Sequence, residues 1–155
     1  MVGIGRLRLS TALGINRGFP VDQEKSDALK RELESQPEPQ MVPIDRFFDG
    51  NDDEGSIGCN LVPHPGIGLF RETLLGLLQR PDVAAVYALI TELDPSDDAW
   101  PFSDTVVVTG TLTSEALKAA IAALQPDEVG PADPDALGTS LSHADRSSAL
   151  VAWWD

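Results

Sequence analysis

The side chains best equipped for chemistry crowd into one stretch, Asp49 to His64, written D-G-N-D-D-E-G-S-I-G-C-N-L-V-P-H. It holds four carboxylates, two asparagines, the only cysteine and one of the two histidines. Asp49, Asn51 and Asp53 place oxygen side chains at relative positions 1, 3 and 5, the spacing with which a calcium loop begins. The pattern then departs from that loop. Glu54 stands at position 6 where a glycine is required, and Asn60 at position 12 where a bidentate glutamate belongs. A looser calcium or magnesium site on Asp49, Asn51 and Asp53 is the metal candidate. The competing expectation is an ordered Asx-rich loop, because Asp and Asn side chains can satisfy their own turn backbone with no ligand.

Cys59 and His64 are the catalytic candidates. They lie five residues apart and could meet across a turn, with Asp53 or Glu54 orienting the imidazole, as an activated thiolate needs. An isolated cysteine is otherwise a quiet packing residue. General acid–base pairs can be drawn from Asp49, Asp52, Asp53, Glu54, Asp98 and Asp104, a pool too rich to single out two. Neither G-I-G-C nor G-I-G-L-F continues into a phosphate loop or a dinucleotide fingerprint. The amides of residues 66–69 could receive an anion at a helix start, and His64 or the Asp/Asn-rich stretch could cap them equally well.

Charge narrows the partners. The 155 residues contain 25 acidic and 11 basic side chains, a formal net charge of -14. Residues 1–40 hold six of each sign, so the whole imbalance lies in residues 41–155. Such a field disfavours direct nucleic-acid binding, which needs a phosphate-neutralising patch, and favours divalent cations or a basic protein surface. One cysteine allows no internal disulfide. No run reaches the roughly 18 apolar residues of a membrane span. The start lacks a continuous secretory core, so a cytoplasmic protein with no membrane partner is expected.

These side chains need elements to hold them. Ile4–Leu9 alternates like a short strand, and Val21–Ser35 reads as a thin amphipathic helix stopped by Q-P-E-P-Q. Residues 1–40 are read as an N-terminal appendage, partly disordered, and residues 41–155 as an acidic α+β domain. M-V-P-I-D-R-F-F reads as an entering or edge strand. Ile67, Phe70, Leu74, Leu77 and Leu78 share one helix face, and Pro81 ends that helix. Residues 82–93 and 105–111 are strands. Leu117, Ile121 and Leu124 mark a second helix that Thr113 or Ser114 can cap. Residues 126–146 read as loop, and S-S-A-L-V-A-W-W-D as a closing strand that sends Trp153 and Trp154 to opposite faces. The element order predicts a split β-α-β-β-α-β sandwich: a mostly antiparallel sheet with helices on one face, elaborated by long loops.

W100-P-F-S-D and V151-A-W-W-D set tryptophans beside carboxylates, a composition suited to binding a basic protein partner. The candidate contacts are Asp52, Asp53, Glu54, Trp100, Asp104, Trp153, Trp154 and Asp155. Residues 42–61, W100-P-F-S-D-T-V, L124-Q-P-D-E-V and W153-W-D155 together resemble a set of small acidic bacterial proteins without assigned chemistry. That likeness covers residues 41–155 and implies no active-site residue. In size and charge the chain is also similar to immunity proteins of bacterial toxin systems, which are small, acidic and non-enzymatic. The expected function is a non-catalytic interaction module that neutralises a basic partner. The alternative is a divalent-metal-binding protein or metal-assisted hydrolase using residues 49–64.

Overall fold

A computed structural model describes residues 22–155. The strand expected at residues 4–9 lies outside them. Helix α1 (Gln23–Glu34) starts where Asp22 accepts the Lys25 amide. Strand β1 (Met41–Pro43) leads directly into the one-turn helix α2 (Ile44–Phe48). Residues 44–48 are therefore not strand. Ile44, Phe47 and Phe48 recur at three- and four-residue spacing, and a helical turn buries all three on one side. After the 49–66 loop come α3 (Ile67–Leu77), β2 (Val83–Glu92) and β3 (Phe102–Gly110). Then follow α4 (Ser114–Ala120), β4 (Glu128–Pro131), α5 (His143–Ser148) and β5 (Leu150–Trp153).

The five strands pair antiparallel in the order β1-β2-β3-β5-β4. This is the expected α+β class, with an antiparallel sheet and helices packed on one face. Within it, β1 lies directly against β2, with no strand interleaved between them. A fifth strand, β4, forms the far edge inside the stretch expected to be loop.

Alternation along the strands separates two apolar layers. Val86, Ala88 and Ile90 of β2, Val106 and Val108 of β3, and Leu150 and Ala152 of β5 face the helices. There they meet Phe47, Phe48, Phe70, Leu74, Leu117 and Ile121. On the opposite face, Met41 and Val107 are covered by Leu137, Leu141 and Ala149 of the segment around α5. Helix α5 itself buries no side chain.

Helix α1 belongs to the main layer, since Leu29 and Leu33 are buried within it. The change in charge near residue 40 is thus not a break in packing, and the helical part of the expected appendage is core. Lys30 strengthens the attachment. Its stem is buried while Nζ donates to Asp94 Oδ1 at 2.9 Å and to Ser96 O at 3.0 Å. Gly110 closes β3 at φ +131°, where a Cβ would lie 2.4 Å from Asp82 O. That carbonyl accepts the Thr111 and Leu112 amides, so the backbone needs the room a side chain would take.

Candidate functional site

The 49–66 loop is held by a buried asparagine. Asn51 is 0% exposed; its Nδ2 donates to Phe47 O at 3.2 Å and Ser56 Oγ at 3.0 Å, and its Oδ1 accepts the Asp53 amide at 2.9 Å. The amide group thereby ties the end of α2 to the far side of the loop. Asp53 does the next piece of work. Its Oδ1 accepts the Gly55 amide, capping a short 3-10 turn, and its Oδ2 accepts the Trp100 amide at 3.2 Å. Ile57 then makes a single parallel bridge to Ser103. The buried bonds of Asn51 satisfy polar groups where water is excluded, and those of Asp53 hold the loop nearer the surface.

The three metal-candidate oxygens are engaged elsewhere. Asp49 Oδ1 takes Lys25 Nζ at 2.6 Å, a hydrogen bond that raises the lysine above its ordinary pKa. Asn51 and Asp53 hold backbone amides, as described. Asp52 pairs with Arg71 at 2.8 Å, and the same guanidinium nitrogen donates to Asn51 O at 2.8 Å. The donors do not fit a shared cation as they stand, because they turn to different partners. Among the described residues no group of three or more His, Cys, Asp and Glu side chains stands ready for a metal.

Cys59 and His64 are likewise not a working pair. His64 Nε2 lies 2.9 Å from Ile57 O, so it must donate, and Nδ1 accepts the Gly66 amide at 2.9 Å. Both ring nitrogens are committed to backbone, and the ring packs on Phe70 at 5.3 Å between centroids. The imidazole thus holds Gly66, the residue that precedes α3, and Glu54 approaches the same helix end: a Cβ on Gly66 would lie 4.0 Å from its Oε2. Cys59 faces a separate small cleft lined by Phe102, Asp104, Trp154 and Asp155. Partial burial of the sulfur pushes its thiol pKa up, and the charge of Asp104 adds to that rise. The thiol is therefore a poorer nucleophile at neutral pH than a free cysteine.

The tryptophans divide between core and surface. Trp100 is 1% and Trp154 2% exposed. Trp154 Nε1 donates to Leu124 O at 2.8 Å, and its ring lies 5.5 Å from that of Phe70. Those two rings hold the fold together and offer little to a partner. Trp153, on the opposite face as expected, is half-buried and lies across the ladder from Thr105 on one side and Glu128 on the other.

The end of the sheet gathers carboxylates from three parts of the chain, Asp127 and Glu128 beside Trp153 and Asp104 and Asp155 in the cleft beside Trp154. The Trp154 amide donates to Asp104 O at 2.9 Å, and the Asp155 amide to Asp127 Oδ2 at 2.6 Å. Asp104, Asp127, Glu128 and Asp155 are therefore neighbours at one end of β3, β4 and β5. Asp127 and Glu128 were missed as site residues because the Gly- and Pro-rich stretch around them hides a strand. The signal available was the alternation of Glu128, Val129 and Gly130 before a proline, too short to read without the partner strand.

These features define an α+β protein whose Asp/Asn-rich loop is tied into the fold by its own hydrogen bonds, and in which Trp153 lies half-buried at an acidic end of the sheet. Residues 24–150 match the family described as "Uncharacterized protein YfbO family", and the chain belongs to it. Over 89 residues it is 31% identical to "Uncharacterized protein YfbO" of Escherichia coli (strain K12), a stretch covering 57% of this chain and 62% of that one. The match thus spans less than two thirds of the curated relative. No solved structure matches the chain. Among the described residues no helix is long and apolar enough to cross a membrane.

Proposed function

We propose that this protein is a non-catalytic interaction module that binds a basic protein surface through the acidic end of its sheet. The observation that carries this reading is the half-buried Trp153 beside Asp127 and Glu128, with Asp104 and Asp155 in the adjoining cleft at the same end of the sheet. An aromatic ring supplies desolvated contact area while the surrounding carboxylates steer a cationic partner. The net charge of -14 supports the same polarity. The likeness in size and charge to immunity proteins suggests the biological form of that binding, neutralisation of a basic protein in the bacterial cell.

Affinity capture from bacterial extract at low and high salt identifies the partner, and titration then tests the surface. Replacing Asp127, Glu128 and Asp155 with Asn, Gln and Asn is expected to weaken binding and to flatten its dependence on salt. Unchanged affinity and an unchanged salt slope would remove this end of the sheet from the interface. The divalent-metal alternative is separated by calorimetry: stoichiometric heat with micromolar calcium or magnesium would favour it over the present reading.

A further inference from the structure

Strand β4 forms an edge of the sheet, paired with β5 on one side. The Ala132 amide donates to Ala149 O at 2.9 Å, one step beyond the Pro131–Leu150 pair. Hydrogen-bonded and non-bonded pairs alternate along an antiparallel ladder. Glu128 and Gly130 therefore turn their backbone groups toward β5, and Val129 and Pro131 turn theirs outward. Among the described residues no strand pairs with the outer side of β4, which offers the Val129 N–H and C=O and the Pro131 C=O, with proline removing the donor that would otherwise be left over. A groove of about 410 Å³ runs along this edge, bounded by Asp127, Glu128, Val129 and Pro131, with Trp153 from the next strand and Lys118 of α4 on its rim.

We infer that the β4 edge receives a short extended basic segment of the partner, which adds to the sheet as a sixth strand. This rests on the proposed function and specifies its mode. Backbone pairing with Val129 sets the register, as in other cases of strand addition. A lysine or arginine in the added strand directly opposite Glu128 forms a cross-strand ion pair on the Trp153 face. The side chains on either side of it fall on the helix face, beside Val129. Charge selects the occupant: Asp127, Glu128 and the nearby Asp155 outweigh Lys118, so an acidic strand would be repelled.

The test uses the full chain and a capped seven-residue peptide alternating lysine with valine. Nuclear magnetic resonance titration follows the Val129 and Gly130 amides, and tryptophan fluorescence follows Trp153 against a Trp153→Phe control. The peptide is expected to shift the Val129 amide and protect it from exchange. N-methylation of the peptide backbone should weaken binding about tenfold. Glu128→Gln should weaken it about two- to fivefold, a change on an exposed side chain that leaves folding intact. A peptide with glutamate in place of lysine should not bind. Salt-sensitive binding that ignores both N-methylation and Val129→Pro would overturn strand addition yet leave acidic recognition standing. No shift at any carboxylate-bearing surface would overturn both. Val129 protection in the free protein would also overturn the inference; if it grows with concentration a second copy occupies the edge, and otherwise the chain covers it itself.

Discussion

Asn51 shows how one side chain can resemble a ligand in sequence and act as a fastener in space. It has three hydrogen bonds and no exposure. Asn51→Asp keeps the shape but replaces two donors with an acceptor facing Phe47 O, and buries a charge. The expected loss is about 3 kcal/mol, read from urea unfolding. If Asn51 were instead a cation ligand, the added carboxylate would tighten calcium binding and the ion would restore stability. Unfolding curves with and without millimolar calcium separate the two cases. His64 follows the same logic, since a lone imidazole beside a cysteine suggests catalysis until both nitrogens are seen to serve Ile57 and Gly66. Sequence spacing singled these residues out for their polar atoms. It could not show that their polar atoms were already spent, because the partners come from backbone folded back on itself.

Among the elements, α1 is where sequence and packing disagree most. Its apolar side is thin, and composition sets it apart from the acidic remainder. Leu29 and Leu33 nevertheless lie in the main core. Leu33→Ala is expected to cost about 2–5 kcal/mol by denaturant unfolding, an amount no loosely attached appendage could show. The link from α3 to β2 carries a pH signature. Arg80 donates to both carboxylate oxygens of Asp82 at 2.9 and 3.0 Å, and holds that carboxyl below its usual pKa. A folded-state pKa below the unfolded one gives stability that is present above the ordinary aspartate range and is lost as pH falls through the lowered value. The melting difference between the wild type and Arg80→Gln should therefore be seen at pH 7 and shrink as pH falls below the ordinary aspartate range, measured by thermal scans; a difference that does not change with pH would assign it to packing. Elements with strong periodicity were legible: the α3 positions Ile67, Phe70, Leu74 and Leu77 are buried, while Leu78, at the helix end, is exposed. Thr113 caps α4, and Leu117, Ile121 and Leu124 are buried as their spacing predicts. Short elements were not. Helix α2 hid in an apolar run next to a proline, and β4 in a run of glycine and proline.

For the molecule as a whole, charge and shape act together. Five ion pairs among the described residues bind basic side chains to acidic ones, leaving much of the negative charge facing solvent. Self-repulsion of that excess opposes compaction. Raising sodium chloride from 10 to 200 mM, which shortens the Debye length from about 30 Å to under 10 Å, should raise the melting temperature by ~2–4 °C. A falling melting temperature would mean that the ion pairs outweigh the repulsion. By itself, the amino-acid sequence determined the α+β class, the net negative charge and the position of the polar loop, because periodicity and net charge are properties of the linear chain. Only the tertiary structure decided that the loop consumes its own donors and acceptors. It alone placed Trp100 and Trp154 in the core, and brought Asp104, Asp127, Glu128 and Asp155 to one end of the sheet. Those outcomes depend on strand order, and strand order is set by which apolar faces bury together across long separations in the chain.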